Sequence, residues 1–102
     1  MMNYLKNYNL SDKQINNIEN VIKERGINID IFKYDPEKII SILDLFVSIG
    51  VSNIYGIITT NPSMFRDTVR SIRNRINKYS NINELARLLN EDANNLNLVG
   101  LI

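Results

Sequence analysis

The chain has 102 residues and a formal net charge of +1, a length that makes one domain able to bury roughly 60–70% of the surface its unfolded form exposes. It holds no cysteine and no histidine, which excludes disulfides, Cys/His metal sites and the commonest general-base and nucleophile pairings. The start, Met1-Met2-Asn3-Tyr4-Leu5-Lys6-Asn7, lacks the basic-then-apolar pattern of a secretory signal, and no apolar run approaches the roughly 18 residues that cross a bilayer; the expectation is a cytoplasmic protein without membrane contact.

The pattern is helical throughout. Ser11-Asp12-Lys13-Gln14 has the spacing of a capping box, and Ile15, Ile18, Val21 and Ile22 then recur at amphipathic spacing until Gly26, predicting a helix from Asp12 to Arg25. Ile27 to Ile31 alternates apolar and polar residues, but a lone strand has nothing to pair with. It is read as an irregular linker with at most a helical turn near Asp30 to Tyr34. Asp35-Pro36-Glu37 combines a capping aspartate, a proline at the first helical position and an acid favoured by the helix dipole. That helix should run to Ile49 and stop at Gly50. Apolar residues cover most of its surface, leaving Ser41, Asp44 and Ser48 as one polar stripe, so it should be buried on several sides.

Ser52 is a candidate cap for a short helix from Asn53 to Thr60. Asn61-Pro62 then opens a long helix to Tyr79, whose seam is Phe65, Val69, Ile72, Ile76 and Tyr79. Asn81-x-x-Glu84 caps a helix with Ile82, Leu85, Leu88 and Leu89 on one face. The pattern breaks at Asn90 to Asp92, and Ala93, Leu96, Leu98 and Val99 suggest one more short helix. The ends are apolar: Met1, Met2, Tyr4, Leu5, Tyr8 and Leu10 on one side, Leu96 to Ile102 on the other. Either flank is suited to folding back as a cap or to self-association.

Gly50-Val51-Ser52, Asn61-Pro62-Ser63-Met64-Phe65 and the apolar seam after it follow at helix-sized intervals between Leu43 and Tyr79. This segment resembles the repeat of the mitochondrial transcription termination factor (mTERF) family, a helical unit of roughly thirty residues. Asp35-Pro36 and Asn61-Pro62 stand 26 residues apart, with Leu43 matching Val69 and Phe46 matching Ile72. The resemblance implies an all-α, compact solenoid-like array of two to three such units, near residues 10–50, 51–80 and 81–102, built from five to seven short helices. It also implies binding to nucleic acid and a role in transcription regulation. The chain is far shorter than organellar members of that family.

No Walker loop, dinucleotide glycine motif or calcium loop is present, and no serine lies in a nucleophile-elbow context. The expectation is a non-catalytic protein without cofactor or metal. Charge is uneven: residues 61–80 carry five basic and one acidic side chain, residues 81–102 one and three. Arg66, Arg70 and Arg73, four and three apart, form a stripe beside the apolar seam, with Arg75 and Lys78 round other faces. Guanidinium forks suit phosphate oxygens, so Arg66, Arg70, Arg73 and Lys78 are candidate contacts for DNA or RNA. The alternative is that the arginines are a solvated face or pair with Glu19, Glu24 or Glu84, and that the chain is a helical protein–protein interaction module. Ile82 to Leu98 is a poor helix-turn-helix, because its reading helix would begin with Glu91-Asp92, which repel phosphate. Tyr34, Tyr55 and Tyr79 are expected to be partly buried and so unable to stack freely on bases.

Overall fold

Ser11 opens the first long helix through its own side chain. In the computed structural model, which describes residues 2–102, the Gln14 amide donates to Ser11 Oγ at 3.1 Å and the Ser11 N–H donates to Gln14 Oε1 at 2.9 Å. That is the reciprocal capping box. Helix α1 spans Asp12–Glu24, buries Ile15, Ile18 and Ile22, and stops at Gly26, whose φ of +68° is left-handed. Beyond it the alternating segment turns helical rather than extended. Asn28 Oδ1 accepts from the Asp30 N–H at 3.0 Å, and α2 follows over Asp30–Tyr34.

Helix α3 spans Pro36–Ser48, with proline in its first turn and Gly50 at φ +107° just past its end. The Asp35 carboxylate makes no cap bond, so the ring's fixed φ sets this start. Helix α4, Ile54–Thr60, begins one residue later than the Ser52 cap would place it. Asn53 is the cap, accepting from the Gly56 N–H at 3.2 Å. A Cβ on Gly56 would meet the Asn53 amide at 2.5–2.8 Å, so the glycine makes room for the capping side chain itself.

The long helix expected from Asn61 to Tyr79 is two elements. A 3₁₀ turn occupies Pro62–Arg66, and helix α5 starts afresh at Val69–Asn77. The break has a clear cause: Thr68 Oγ1 accepts from the Ser71 N–H at 3.1 Å, a second N-cap that starts a new helix. Asn61, in turn, donates its side-chain amide to the Leu101 carbonyl instead of capping. Helix α6, Ile82–Glu91, is capped by Asn81, which accepts from the Glu84 N–H at 3.1 Å. Asp92 then caps a 3₁₀ helix, Ala93–Val99, that ends on Gly100 at φ +70°.

Among the described residues the elements are six α-helices and three 3₁₀ helices, the first 3₁₀ being Asn3–Tyr8. Helix α1 packs on α4, and α4 on the Ala93–Val99 helix. Helix α3 packs on α2, α5 and the Pro62–Arg66 turn. The Phe32 and Phe65 rings, 5.5 Å apart and tilted by 59°, tie α2 to that turn. The interior is wholly apolar, with no buried polar or charged side chain among the described residues. A radius of gyration of 12.8 Å matches the value of about 13 Å for a close-packed chain of this length.

Both apolar flanks are used within the fold. Met2, Leu5 and Leu10 are buried at one side, and Leu96, Val99 and Leu101 at the other. The self-association surface expected of these flanks is therefore largely internal, because burying it against the chain's own helices removes it from water at no cost in association entropy. Leu98 and Ile102 stay exposed. Met1 lies outside the described residues. No helix among the described residues is long and apolar enough to cross a membrane.

Candidate nucleic-acid interface

The break at Asp67-Thr68 decides which cations share a surface. Arg66 closes the 3₁₀ turn, while Arg70 and Arg73 stand on α5 and Lys78 is its C-terminal cap residue. The predicted stripe of three arginines on one helix is thus interrupted: two extended residues, with ψ of 171° and 153°, separate Arg66 from α5.

A different set comes together. Thr68, Arg70, Ser71, Asn74, Arg75 and Lys78 line an open depression of about 410 Å³ along α5. Arg70, Asn74 and Lys78 recur every fourth position and therefore stand above one another on one helical face. Lys78, expected on another face, belongs beside Arg70 for this reason. Arg75 joins from the neighbouring row, held by its Nη1 donating to the Gly100 carbonyl at 2.9 Å. Arg73 is exposed but does not line the depression. The spacing of four carried this grouping in the sequence, and the spacing of the arginines alone obscured it.

Two of the three acids named as neutralising partners, Glu19 and Glu84, are engaged elsewhere, and Glu24 makes no ion pair with any cation of this region among the described residues. Glu19 pairs with Lys23 at 3.2 Å and Lys33 at 3.4 Å, and Arg87 pairs with both Glu84 and Glu91. The hydrogen bond from Lys23 holds the Glu19 carboxyl below its ordinary range, and that from Arg87 does the same for Glu84. Among the described residues, Arg66, Arg70, Arg73, Arg75 and Lys78 have no carboxylate within 4.0 Å.

Asp67, the one acid of this region, serves the start of α5. Its carboxylate accepts from the Thr68 N–H at 2.8 Å and from the Ser71 hydroxyl at 2.9 Å. The backbone bond from Thr68, then that from Ser71, and then the charges of Arg75 and Lys38 hold its pKa below the usual aspartate value. A carboxyl whose pKa is lower folded than unfolded adds stability above its unfolded pKa, and that stability disappears as pH falls through the folded value. Urea titrations should therefore show wild type losing more stability than Asp67→Asn between about pH 5 and pH 3, with the two curves running parallel above pH 5. Parallel behaviour across the whole range would show that Asp67 does not secure this helix start.

The lining offers guanidinium forks, an ammonium, hydroxyls and an amide, the donor set that contacts phosphate and sugar rather than base edges. Aromatic partners are scarce. Tyr55 and Tyr79 are half-buried as expected, but Tyr34 is 79% exposed. It ends α2, where Phe32 is the residue turned into the core, so the hydroxyphenyl ring is left outside. Comparison of the chain with protein-family models, with curated proteins and with solved structures gives no match.

Proposed function

We propose that this chain is a non-catalytic nucleic-acid-binding domain that uses the α5 face to hold a phosphate backbone, in keeping with the mTERF-like pattern and a role in transcription regulation. The observation that carries the reading is the depression lined by Arg70, Arg75 and Lys78, whose charges no carboxylate neutralises within 4.0 Å among the described residues. Free cations aligned along one face attract a polyanion, and each phosphate they neutralise releases counterions. With backbone-type donors and no aromatic ring in the depression, recognition is by charge and spacing more than by base sequence.

One stacking of elements supports the repeat reading, though at a different step from the 26-residue one. Helices α1 and α4 and the Ala93–Val99 helix stack in succession, each opened by its own cap at Ser11, Asn53 and Asp92. The side-chain bonds Asn17 to Tyr55, Arg25 to Thr60 and Asn53 to Leu89 join positions 38, 35 and 36 apart. Such a stepping of like elements is how solenoid units pack. The step differs from the 26 residues between the two prolines, which open unlike elements: Pro36 a thirteen-residue helix and Pro62 a five-residue turn.

Binding to generic duplex and single-stranded nucleic acid should weaken steeply with salt. Arg70→Glu with Lys78→Glu should abolish it, a loss of at least about a hundredfold with the salt slope reduced by roughly 0.9 for each phosphate contact removed. Lys13→Glu with Lys23→Glu changes the net charge equally on α1 and should leave most of the affinity. Equal losses in both doubles would reject α5 as the site, and no binding by the wild type at low salt would favour the protein-interaction module.

A further inference from the structure

Helix α3 carries more apolar surface than its neighbours cover. Ile39, Ile42, Leu43 and Phe46 are buried, but Ile40 is only half-buried and Val47 is 47% exposed. Ile40, Asp44 and Val47 are spaced four and three apart and so share one face. That face walls a cleft of about 490 Å³, lined also by Val51, Ile54 and Tyr8. The volume falls within the roughly 300–1,000 Å³ typical of small-molecule sites.

Of the polar stripe on α3, the two serines and Asp44 behave differently. Ser41 and Ser48 donate to carbonyls of their own helix, at 2.9 Å to Glu37 and 2.6 Å to Leu45. Asp44 instead accepts the Tyr8 hydroxyl at 2.7 Å, across the cleft's edge. No lysine or arginine lies within 4.0 Å of it among the described residues. Burial, then the bond to Asp44, raises the Tyr8 pKa, so the phenol remains a neutral donor. A carboxylate accepts about four hydrogen bonds, which leaves Asp44 with capacity to spare.

We propose that this cleft binds a small organic amine, its protonated nitrogen donating to Asp44 and its apolar body lying against Ile40, Val47 and Ile54. The aliphatic walls select the body, and the unpaired carboxylate selects a cationic head over a neutral or anionic one. The cleft is built on α3, the start of α4 and the N-terminal segment, so the inference stands apart from the α5 reading.

The test uses phenethylamine as probe, titrated into the full chain while the amide and methyl NMR signals are followed. Saturable shifts confined to Ile40, Val47 and Ile54 are expected, whereas 3-phenylpropionate, with the same ring and the opposite charge, should give none. Asp44→Asn should weaken the amine by about tenfold or more, while Tyr8→Phe, which keeps the carboxylate, should retain binding. Urea unfolding of Asp44→Asn at the wild-type midpoint will show that the fold is intact. The proposal is overturned by an absence of saturable shifts, by equal binding of both probes, by undiminished binding in Asp44→Asn, or by occupation of the cleft with a basic peptide that the amine cannot displace.

Discussion

Replacing Phe65 with alanine should cost about 3–5 kcal/mol of stability, the range for truncating a buried aromatic side chain. That is a large part of the roughly 5–15 kcal/mol that holds a domain of this size folded. Phe65 is fully buried and meets Phe32 ring to ring, so the truncation removes both its own burial and the contact that ties α2 to the Pro62–Arg66 turn. Helix α3 packs on both that turn and α5. Urea unfolding should show the midpoint falling sharply, with Phe65→Leu recovering most of the loss because it refills much of the volume. A loss under about 1 kcal/mol would mean that the site collapses around the cavity and that this contact is not a keystone.

The second large effect is expected at Asn90, a residue that looks unimportant from its exposure. Its Oδ1 accepts from the Ser52 N–H at 2.8 Å and the Asn53 N–H at 3.2 Å, and its Nδ2 donates to the Gly50 carbonyl at 3.1 Å. One amide thus satisfies three backbone groups in the turn between α3 and α4. At about 1 kcal/mol for each hydrogen bond, Asn90→Ala should cost roughly 2–3 kcal/mol. Asn90→Asp separates the roles: it keeps the two accepted bonds and loses the donor, placing a carboxylate against the Gly50 carbonyl. Faster amide exchange at Ser52 and Asn53 in the alanine variant, but not in the aspartate variant, would establish the assignment. Unchanged exchange in both would count against it.

Much of the helical order could be read from the chain, because caps and glycine stops act locally. Ser11 with Gln14, Asn81 with Glu84, and the stops at Gly26 and Gly50 all act as their spacing suggests. The errors share a physical origin. The chain holds 17 asparagines besides its serines, threonines and aspartates, so nearly every turn carries several residues able to cap. Local spacing cannot choose between Ser52 and Asn53, since Asn90, from far along the chain, binds the Ser52 N–H. The same holds at Asn61, whose amide is drawn to Leu101. Thr68 with Ser71 was a readable cap, masked by the stronger Asn61-Pro62 signal just before it. At the candidate interface the residue types were legible and the grouping was only half so. Arg70 and Lys78 come together through their spacing, Arg66 is lost to the new cap, and Arg75 is placed by a carbonyl at Gly100 that no pattern on α5 announces.

The bonds that join successive layers also bear on how the chain is made. Among the described residues, no side-chain hydrogen bond spans more than the 40 positions between Gly50 and Asn90 or between Asn61 and Leu101. The polar ties between elements are therefore bounded by a separation well short of the length of the chain. At synthesis rates of about 5–20 residues per second, each partner emerges within roughly 2–8 s of the group it will bind. The packing of α1 on α4 can form while α6 is still being made, so the fold is suited to assembly from its N-terminal side during translation.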